Sequence, residues 1–428
     1  MRILLSAFAC GPGRGSEPGV GWAVATRLAK RHHVHVLTHR YNQKGIEQHL
    51  DEHGDIENLE FSYYGSPRPY YDHGIKSFTI QFYYYYWQRK IAQWAQDAIL
   101  AFKPDVIQHV TLVRYWTPSS LASMGIPFIF GPVGGADATP KGFIKTLTLR
   151  GRITERVRSL AQGLSERDPA MKRTIRSAAA VVATTRSTAE RARSLGAKRV
   201  SIIGESALDE GLMPASSSIK KTPDRPARFI VSARLIHWKG INLSIQAFAK
   251  CRDLDATLEI FGDGPERQNL WTLVKRLRLT DRVIFRGHVA RNDYLKRLSG
   301  SIALLHPSLH DSGGWVCIEA MATGVPVVCL DAGGPATQVD QSCGYIIDPI
   351  ASRYVINKMA MAMRELTTNP ALHAQKSQAA KKAVRDRHTW DSKIDSFEAL
   401  YERAIHPRKQ EPNASTNQLE KSPTPLSL

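Results

Sequence analysis

The chain has 428 residues, of which 43% are hydrophobic and 23% charged, as expected for a globular protein with two domains of roughly 200 residues each. No apolar run reaches the ~18 residues that a bilayer-spanning helix needs, which argues against an integral membrane protein. The formal net charge of +19 indicates a polyanionic partner: nucleic acid, anionic lipid or a phosphorylated substrate. Five scattered cysteines without a C-x-x-C pair predict buried thiols rather than disulfides or zinc ligands.

The first half of the chain alternates apolar segments with helical ones, beginning with a predicted core strand at residues 2–9. This apolar run is too short for a signal peptide, so we expect a cytoplasmic protein. A glycine-rich turn and a helix at residues 19–31 follow, and further strands are predicted at residues 34–37, 105–107, 127–130 and 179–184. Such alternation predicts a parallel sheet with helices on its faces.

A polar segment at residues 216–228 contains serines, lysines and prolines, and it is predicted to link two domains. The strand–helix pattern then restarts, with strands predicted at residues 229–233, 257–261, 283–285, 303–306 and 327–330. The predicted organisation is an N-terminal domain at 1–215, a C-terminal domain at 229–387, a helix at 388–406 that packs back toward the N-terminal domain, and a disordered tail at 407–428. Two doubly wound domains facing each other would form a cleft at the carboxyl ends of both sheets.

The strongest motif follows the strand predicted at residues 303–306. Asp311, the glycine pair Gly313 and Gly314, and Glu319 surround the start of a predicted helix. The glycines would let a ligand approach the backbone closely, and the helix N-terminus offers free N–H groups to an anion. A carboxylate at Glu319 could accept hydrogen bonds from both ribose hydroxyls. The alternative interpretation is an ordinary glycine-rich turn before a core helix.

A second motif, Arg234 to Gly240, follows the first strand of the C-terminal domain. Together the two motifs resemble those of glycosyltransferase family 4, although Asp311 stands where that family usually has Glu. The resemblance implies a GT-B fold, an α/β architecture of two Rossmann-like domains facing across a cleft. It also implies a retaining transfer, with the nucleotide-diphosphate sugar on the C-terminal domain and the acceptor on the N-terminal one. Arg234 and Lys239 would then clamp the diphosphate, Asp311 would face the sugar, and Glu319 would hold the ribose.

Two N-terminal features extend the resemblance. Gly19 and Gly21 lie where the family has a glycine-rich, donor-binding loop, and His109 follows the strand at 105–107, where a family histidine contacts the transferred sugar. The alternatives are a dinucleotide site for the glycines and a structural role for the histidine. No acidic residue ends the next strand, which argues against a dinucleotide.

Asp253 and Asp255 have the same spacing as the Asp-x-Asp metal site of other glycosyltransferases. They are predicted to lie at a turn away from the motif loops. We therefore expect no essential metal and no cofactor beyond the nucleotide-sugar substrate.

The basic segment at residues 141–176 has ten Lys and Arg against three Asp and Glu. Within it Ile153, Val157, Leu160 and Leu164 recur at helical spacing, near Arg150, Arg152, Arg156 and Arg158. Such a helix either lies on an anionic bilayer or packs on its own domain. A second aromatic and basic patch, residues 83–90, is open to the same two interpretations.

The predicted function is transfer from a UDP- or GDP-sugar to a glycan or polyprenyl-linked acceptor in polysaccharide or cell-envelope synthesis. The predicted location is cytoplasmic, with peripheral contact to the inner membrane face. One alternative is a nucleotide-sugar epimerase of the same fold. A nucleic-acid-binding protein is suggested by charge alone, and no zinc-finger spacing or RNA-binding aromatic motif supports it.

Overall fold

The structure is a computed structural model that describes residues 1–66, 77–112, 114–144, 147, 149–209 and 226–407. Most of the predicted linker at 216–228 and almost all of the predicted tail at 407–428 lie outside these residues. No helix in the described part of the chain is long and apolar enough to cross a membrane.

The N-terminal domain is built on a parallel sheet, as predicted. Its described strands are β1 (Arg2–Ser6), β2 (His33–His39), β3 (Leu59–Tyr64), β4 (Val106–His109), β5 (Phe128–Val133), β6 (Ala180–Ala183) and β7 (Val200–Ile202). Their order is β3-β2-β1-β4-β5-β6-β7, so the strand order reverses between β1 and β4. In open α/β sheets this reversal creates a crevice at the carboxyl ends of the strands.

Helices cover both faces of this sheet. They are α1 (Ser16–Ala29), α2 (Gln43–His53), α3 (Ser77–Trp94), α4 (Gln96–Phe102), α5 (Lys141–Ile144), α6 (Leu149–Ser165), α7 (Pro169–Ser177) and α8 (Arg186–Ser194). The start predicted for α1, residue 19, is wrong because the helix begins at Ser16. Pro18 lies in the first helical turn, where a backbone N–H has no partner within the helix, so the proline does not prevent this earlier start.

The C-terminal domain contains a second parallel sheet in the order β10-β9-β8-β11-β12-β13. Its strands are β8 (Ala227–Ser232), β9 (Ala256–Phe261), β10 (Val283–Gly287), β11 (Ala303–His306), β12 (Val327–Leu330) and β13 (Gly344–Ile347). The predicted linker at 216–228 is two residues too long, because Ala227 and Arg228 already pair with β9.

The helices of this domain are α9 (Ile241–Ala249), α10 (Arg267–Arg276), α11 (Arg291–Ser299), α12 (Trp315–Ala322), α13 (Pro335–Gln338), α14 (Ser352–Thr368) and α15 (Pro370–Arg387). Apolar cores lie on both faces of the sheet. All five cysteines are buried and free. The predicted α/β class with two doubly wound domains is confirmed.

Two segments pack into the domain opposite to their own. The final helix α16 (Trp390–Ile405) places Ile394, Phe397 and Tyr401 in the N-terminal core. Conversely, Phe143 of α5 and Leu147 are buried in the C-terminal core. These exchanges hold the carboxyl ends of the two sheets near each other.

Candidate functional site

A cavity of about 520 Å³ opens at the carboxyl ends of β8, β9 and β10. We call it the C-terminal cavity. Its wall is completed by α12, and its lining includes Arg234, Gly262, His288, Arg291 and Glu319. Two of the residues predicted to bind the donor, Arg234 and Glu319, therefore line one cavity of a size suited to a small ligand.

Glu319 lies on α12 with its carboxylate turned toward the C-terminal cavity. Burial raises its pKa, and the guanidinium of Arg291, 2.9 Å from Oε1, opposes this shift. Arg291 was not predicted from the sequence, although a basic residue at the start of the helix after β10 was a usable signal. The pair places hydrogen-bond acceptors and a positive charge on one wall of the cavity.

Arg234 follows β8, lines the same cavity and is exposed. It forms no ion pair with any other residue in the described part of the chain. An unpaired guanidinium at the edge of a cavity is suited to bidentate binding of phosphate oxygens.

The glycine pair before α12 has a clear steric role. Gly314 has φ of 61°, and a Cβ at this position would lie 2.6 Å from Gln338 Oε1. The carbonyl of Gly313 accepts hydrogen bonds of 2.5 Å from Ser206 Oγ and from Gln338 Nε2. The turn is therefore held from both sides: by Ser206 in the segment that follows β7, which we call the crossover, and by Gln338 of its own domain.

The second glycine pair supports the first. A Cβ on Gly333 would lie 2.3 Å from the carbonyl oxygen of Asp311, and the Gly334 N–H donates to that same oxygen at 2.6 Å. These glycines therefore allow two loops to pack backbone against backbone.

Asp311 and Lys239 are brought together by the fold. The Lys239 ammonium pairs with Asp311 Oδ2, His306 Nε2 lies 3.1 Å from the same oxygen, and the Gly313 N–H donates to Oδ1 at 3.3 Å. Burial opposes ionisation, but the hydrogen bond from His306 and the charge of Lys239 hold the pKa of Asp311 far below its usual range. The carboxylate is therefore charged and neutralised by the predicted diphosphate-binding lysine.

Gly19 and Gly21 lie inside α1 rather than in the loop before it. A Cβ on Gly19 would lie 2.1 Å from the Arg14 carbonyl oxygen, and one on Gly21 would lie 2.3 Å from that of Ala9. Both glycines are thus explained by close backbone packing, and their role in donor binding stays a prediction.

His109 is the last residue of β4, and only 1% of it is exposed. Its Nε2 lies 3.0 Å from the Tyr84 hydroxyl, and its ring packs on Phe130 at 5.3 Å. Burial lowers the pKa of His109 to about 4, so the ring is neutral at physiological pH. The structure does not place this ring at the C-terminal cavity, and its contact with a sugar stays a prediction.

Glu205 is a site candidate that the sequence analysis missed. It lies after β7 on the crossover, is 8% exposed, and its Oε2 would be 3.6 Å from a Cβ on Gly313. Burial and the nearby charge of Glu17 raise the pKa of Glu205, and Lys393 opposes the shift. An acid directly after the last strand of the domain was the available signal.

Asp253 and Asp255 precede β9, at the edge of the sheet opposite to the C-terminal cavity. Asp253 pairs with Arg364. No group of three His, Cys, Asp or Glu side chains with metal-binding geometry occurs among the residues that the structure describes.

Comparison of the sequence with known protein families gives two matches, which together cover most of the chain. Residues 214–383 match the family described as glycosyl transferases group 1, and residues 14–203 match the glycosyl transferase 4-like domain. The lipopolysaccharide core biosynthesis glycosyltransferase LpsD of Rhizobium meliloti (strain 1021) is 27% identical over 221 residues, or 51% of this chain and 62% of that protein. The chain spans about half the length of the curated relatives it matches.

Solved structures agree with this architecture. Sucrose-phosphate synthase from Thermosynechococcus elongatus superimposes with a TM-score of 0.63 at 17% identity, covering 95% of this chain and 99% of that one. Anabaena Alr3699/HepE in complex with UDP gives a TM-score of 0.57 at 19% identity, covering 93% and 99%. At these identities the likeness shows the GT-B fold. With the two family matches, it follows that the chain belongs to the group 1 glycosyltransferases of family 4.

Proposed function

We propose that this glycosyltransferase moves a sugar from a UDP- or GDP-sugar to a hydroxyl of a glycan or lipid-linked acceptor, with retention at the anomeric carbon. The observation that carries the proposal is the C-terminal cavity, which is lined by Glu319 and by Arg234, a cation with no ion-pair partner among the described residues. The Lys239–Asp311 ion pair lies on two loops of the same domain and is not part of this lining. A neighbour of the same fold, Alr3699/HepE, was crystallised with UDP, which supports a nucleotide as the occupant.

In the proposed reaction the bond between the anomeric carbon and the diphosphate oxygen breaks, and a bond to the acceptor oxygen forms on the same face. The proton of the acceptor hydroxyl passes to the departing phosphate oxygen, which lies on that face. Arg234 and Lys239 would stabilise the charge that develops on the diphosphate, and the N-terminus of α12 would add its partial positive charge. No resident metal is needed in this scheme.

The acceptor side of the proposal rests on the outer face of α6. Five side chains there are between 52% and 69% exposed, namely Leu149, Ile153, Val157, Leu160 and Leu164, which we call the apolar stripe of α6. Arg152 and Arg156 beside the stripe are also exposed, whereas the side chain of Arg150 lies outside the described residues. An exposed apolar stripe with flanking arginines fits an anionic lipid surface.

The aromatic patch of α3 divides into two parts. Tyr84 and Trp87 are buried, whereas Phe82, Tyr85 and Tyr86 are exposed. The Tyr85 hydroxyl donates to Oδ2 of Asp168 at 2.5 Å, and Asp168 is the N-cap of α7 in the segment that follows α6. Tyr85 therefore links α3 to the segment that follows α6. The acceptor in this proposal is lipid-linked and belongs to polysaccharide or cell-envelope assembly, and one relative, LpsD, is named for lipopolysaccharide core biosynthesis.

A thermal-shift screen of UDP-, GDP- and ADP-sugars tests donor binding, because ligands that bind the native state raise its melting temperature. Incubating the best donor alone then separates the alternatives: an epimerase converts it to an isomeric donor, whereas a transferase requires an added acceptor. Salt-sensitive binding to random DNA with no response to any nucleotide sugar would favour the nucleic-acid alternative instead.

A further inference from the structure

The inner face of α6 contacts the cleft, opposite to the apolar stripe of α6. Arg158 Nη2 and Gln162 Nε2 both donate to the carbonyl oxygen of Gly135, at 2.8 Å and 2.6 Å. Glu155 lies one turn before Arg158 on the same face, and its side chain is 13% exposed. One helix therefore presents apolar side chains outward and polar side chains to the interior of the protein.

Glu155 contacts both motif loops of the other domain. His310 Nε2 lies 3.1 Å from Glu155 Oε1, and His237 Nε2 lies 3.5 Å from the same atom. His310 directly precedes Asp311, and His237 is separated from Lys239 only by Trp238. The Trp238 ring stacks on the His310 ring, with the ring centroids 5.3 Å apart. A single carboxylate of the N-terminal domain thus connects the two loops whose side chains form the Lys239–Asp311 pair.

The electrostatics of this contact are favourable. Burial would raise the pKa of Glu155, but the hydrogen bond and charge of His310 and the charge of Arg158 lower it to about 2. The carboxylate is therefore ionised at neutral pH and is a strong acceptor for imidazole N–H groups. The chain that leads into α6 is also fixed to the C-terminal domain, because Phe143 and Leu147 are buried in its core.

We propose that α6 couples docking on an anionic lipid surface to the nucleotide site, with Glu155 as the positioning residue that holds the loops of Lys239 and Asp311. The inference rests on the proposed function, since it assumes that these loops bind the donor diphosphate. Lipid bound to the apolar stripe of α6 orders the helix and, through Glu155, fixes the two loops. Because such coupling is reciprocal, lipid tightens nucleotide binding and nucleotide tightens lipid binding.

The structure favours lipid over a protein partner as the occupant of the outer face. The stripe is a row of aliphatic side chains with exposed arginines on its border, and α3, which exposes Phe82, Tyr85 and Tyr86, contacts the segment after α6 through Tyr85 and Asp168. Aliphatic, aromatic and basic residues together match the interface and headgroup region of an anionic bilayer.

The experiment measures UDP and GDP affinity by calorimetry in three conditions: without vesicles, with phosphatidylcholine vesicles, and with vesicles containing phosphatidylglycerol. We expect phosphatidylglycerol vesicles alone to tighten binding of the preferred nucleotide by about fivefold or more, the lower end of typical coupling. Leu160→Ser combined with Leu164→Ser should abolish vesicle co-sedimentation and the tightening together. Ser159→Ala, an exposed position on the same helix, serves as the matched control and should retain both.

Glu155→Gln separates the coupling from the docking. This variant should still co-sediment with phosphatidylglycerol vesicles but should lose the tightening, and Glu155→Asp should restore part of it. The inference is overturned if wild type binds the vesicles with no change in nucleotide affinity, if it does not bind them, or if Glu155→Gln keeps the full tightening. Failure of wild type to bind any nucleotide would overturn the proposed function itself, a different result from uncoupled binding.

Discussion

Lys239 and Asp311 form an ion pair between two loops of the C-terminal domain, 72 residues apart in the chain. His306 and the Gly313 N–H occupy other lone pairs of the carboxylate. The lysine that is expected to meet a diphosphate is therefore already paired with an acid. If Lys239 binds the donor diphosphate, as we propose, the diphosphate would compete with Asp311 for the ammonium, and donor binding would be linked to the position of the Asp311 loop.

Arg234→Ala is predicted to lower turnover by about 10²–10³, the scale observed when a preorganised charge stabiliser is removed. Lys239→Ala should lower turnover similarly and should also lower the melting temperature, because it leaves Asp311 buried with one cationic partner fewer. Arg234 has no ion-pair partner among the described residues, so its removal should leave the melting temperature almost unchanged. Steady-state kinetics and thermal unfolding measure the two effects, and normal turnover in both variants would refute the diphosphate clamp.

Glu319→Gln is predicted to weaken nucleotide diphosphate binding by about tenfold, since a hydrogen bond to a charged acceptor contributes roughly 1.5–3 kcal/mol. The control uses the ligand: 2′-deoxy-UDP should bind wild type more weakly than UDP does, but Glu319→Gln should bind the two almost equally. Calorimetry on the four combinations isolates the contact between the carboxylate and the ribose. An undiminished preference for the ribose form in Glu319→Gln would assign Glu319 a purely structural role.

Activity is predicted to survive EDTA, because Arg234, Lys239 and the N-terminus of α12 supply the positive charge that a metal would otherwise provide. The measurement is transfer rate after exhaustive chelation, with and without added Mn²⁺. Asp253→Asn combined with Asp255→Asn is the matched variant, and we expect it to be as active as wild type. A rate that vanishes with chelator and returns with Mn²⁺ would contradict this scheme.

The sequence allows those parts of the candidate site to be predicted whose residues are neighbours along the chain. The glycine pair at 313–314 and the acid on the following helix can be identified because turn, helix and motif lie within one short segment. Glu155 and Glu205 could not be found in this way, since each lies near residues of the other domain that are 82 or more positions away in the chain. His109 shows the same limit: its position after a strand was predictable, but its enclosure by Tyr84 of α3 depends on tertiary packing.

Glu205→Gln is predicted to stabilise the protein increasingly as pH rises. A carboxyl whose pKa is raised in the folded state contributes full stability below its unfolded value, near 4.5, and that stability is lost as pH rises through the folded value. An amide in its place carries no charge, so the melting temperature of Glu205→Gln minus that of wild type should grow from pH 5 upward. Lys393, whose pKa is lowered by burial, faces Glu205, and Lys393→Met reports its separate contribution. A difference independent of pH would contradict the assignment.

Docking on lipid is predicted to be reversible and salt-sensitive, and to depend on the exposed arginines of α6. Each basic residue near an anionic surface contributes about 1 kcal/mol, and the attraction decays within a Debye length. Arg152→Glu with Arg156→Glu should therefore greatly reduce co-sedimentation with phosphatidylglycerol vesicles at low salt. Arg158 is left intact because its guanidinium donates to the carbonyl of Gly135. Arg152 Nε donates to the Leu147 carbonyl at 3.2 Å, so Arg156→Glu is also measured alone and should reduce docking without loss of this bond. The control reverses two exposed charges of the C-terminal domain, Lys275→Glu with Arg276→Glu, which changes the net charge equally and should leave docking intact. If both double variants lose binding equally, the attraction comes from overall charge and α6 is not the docking surface.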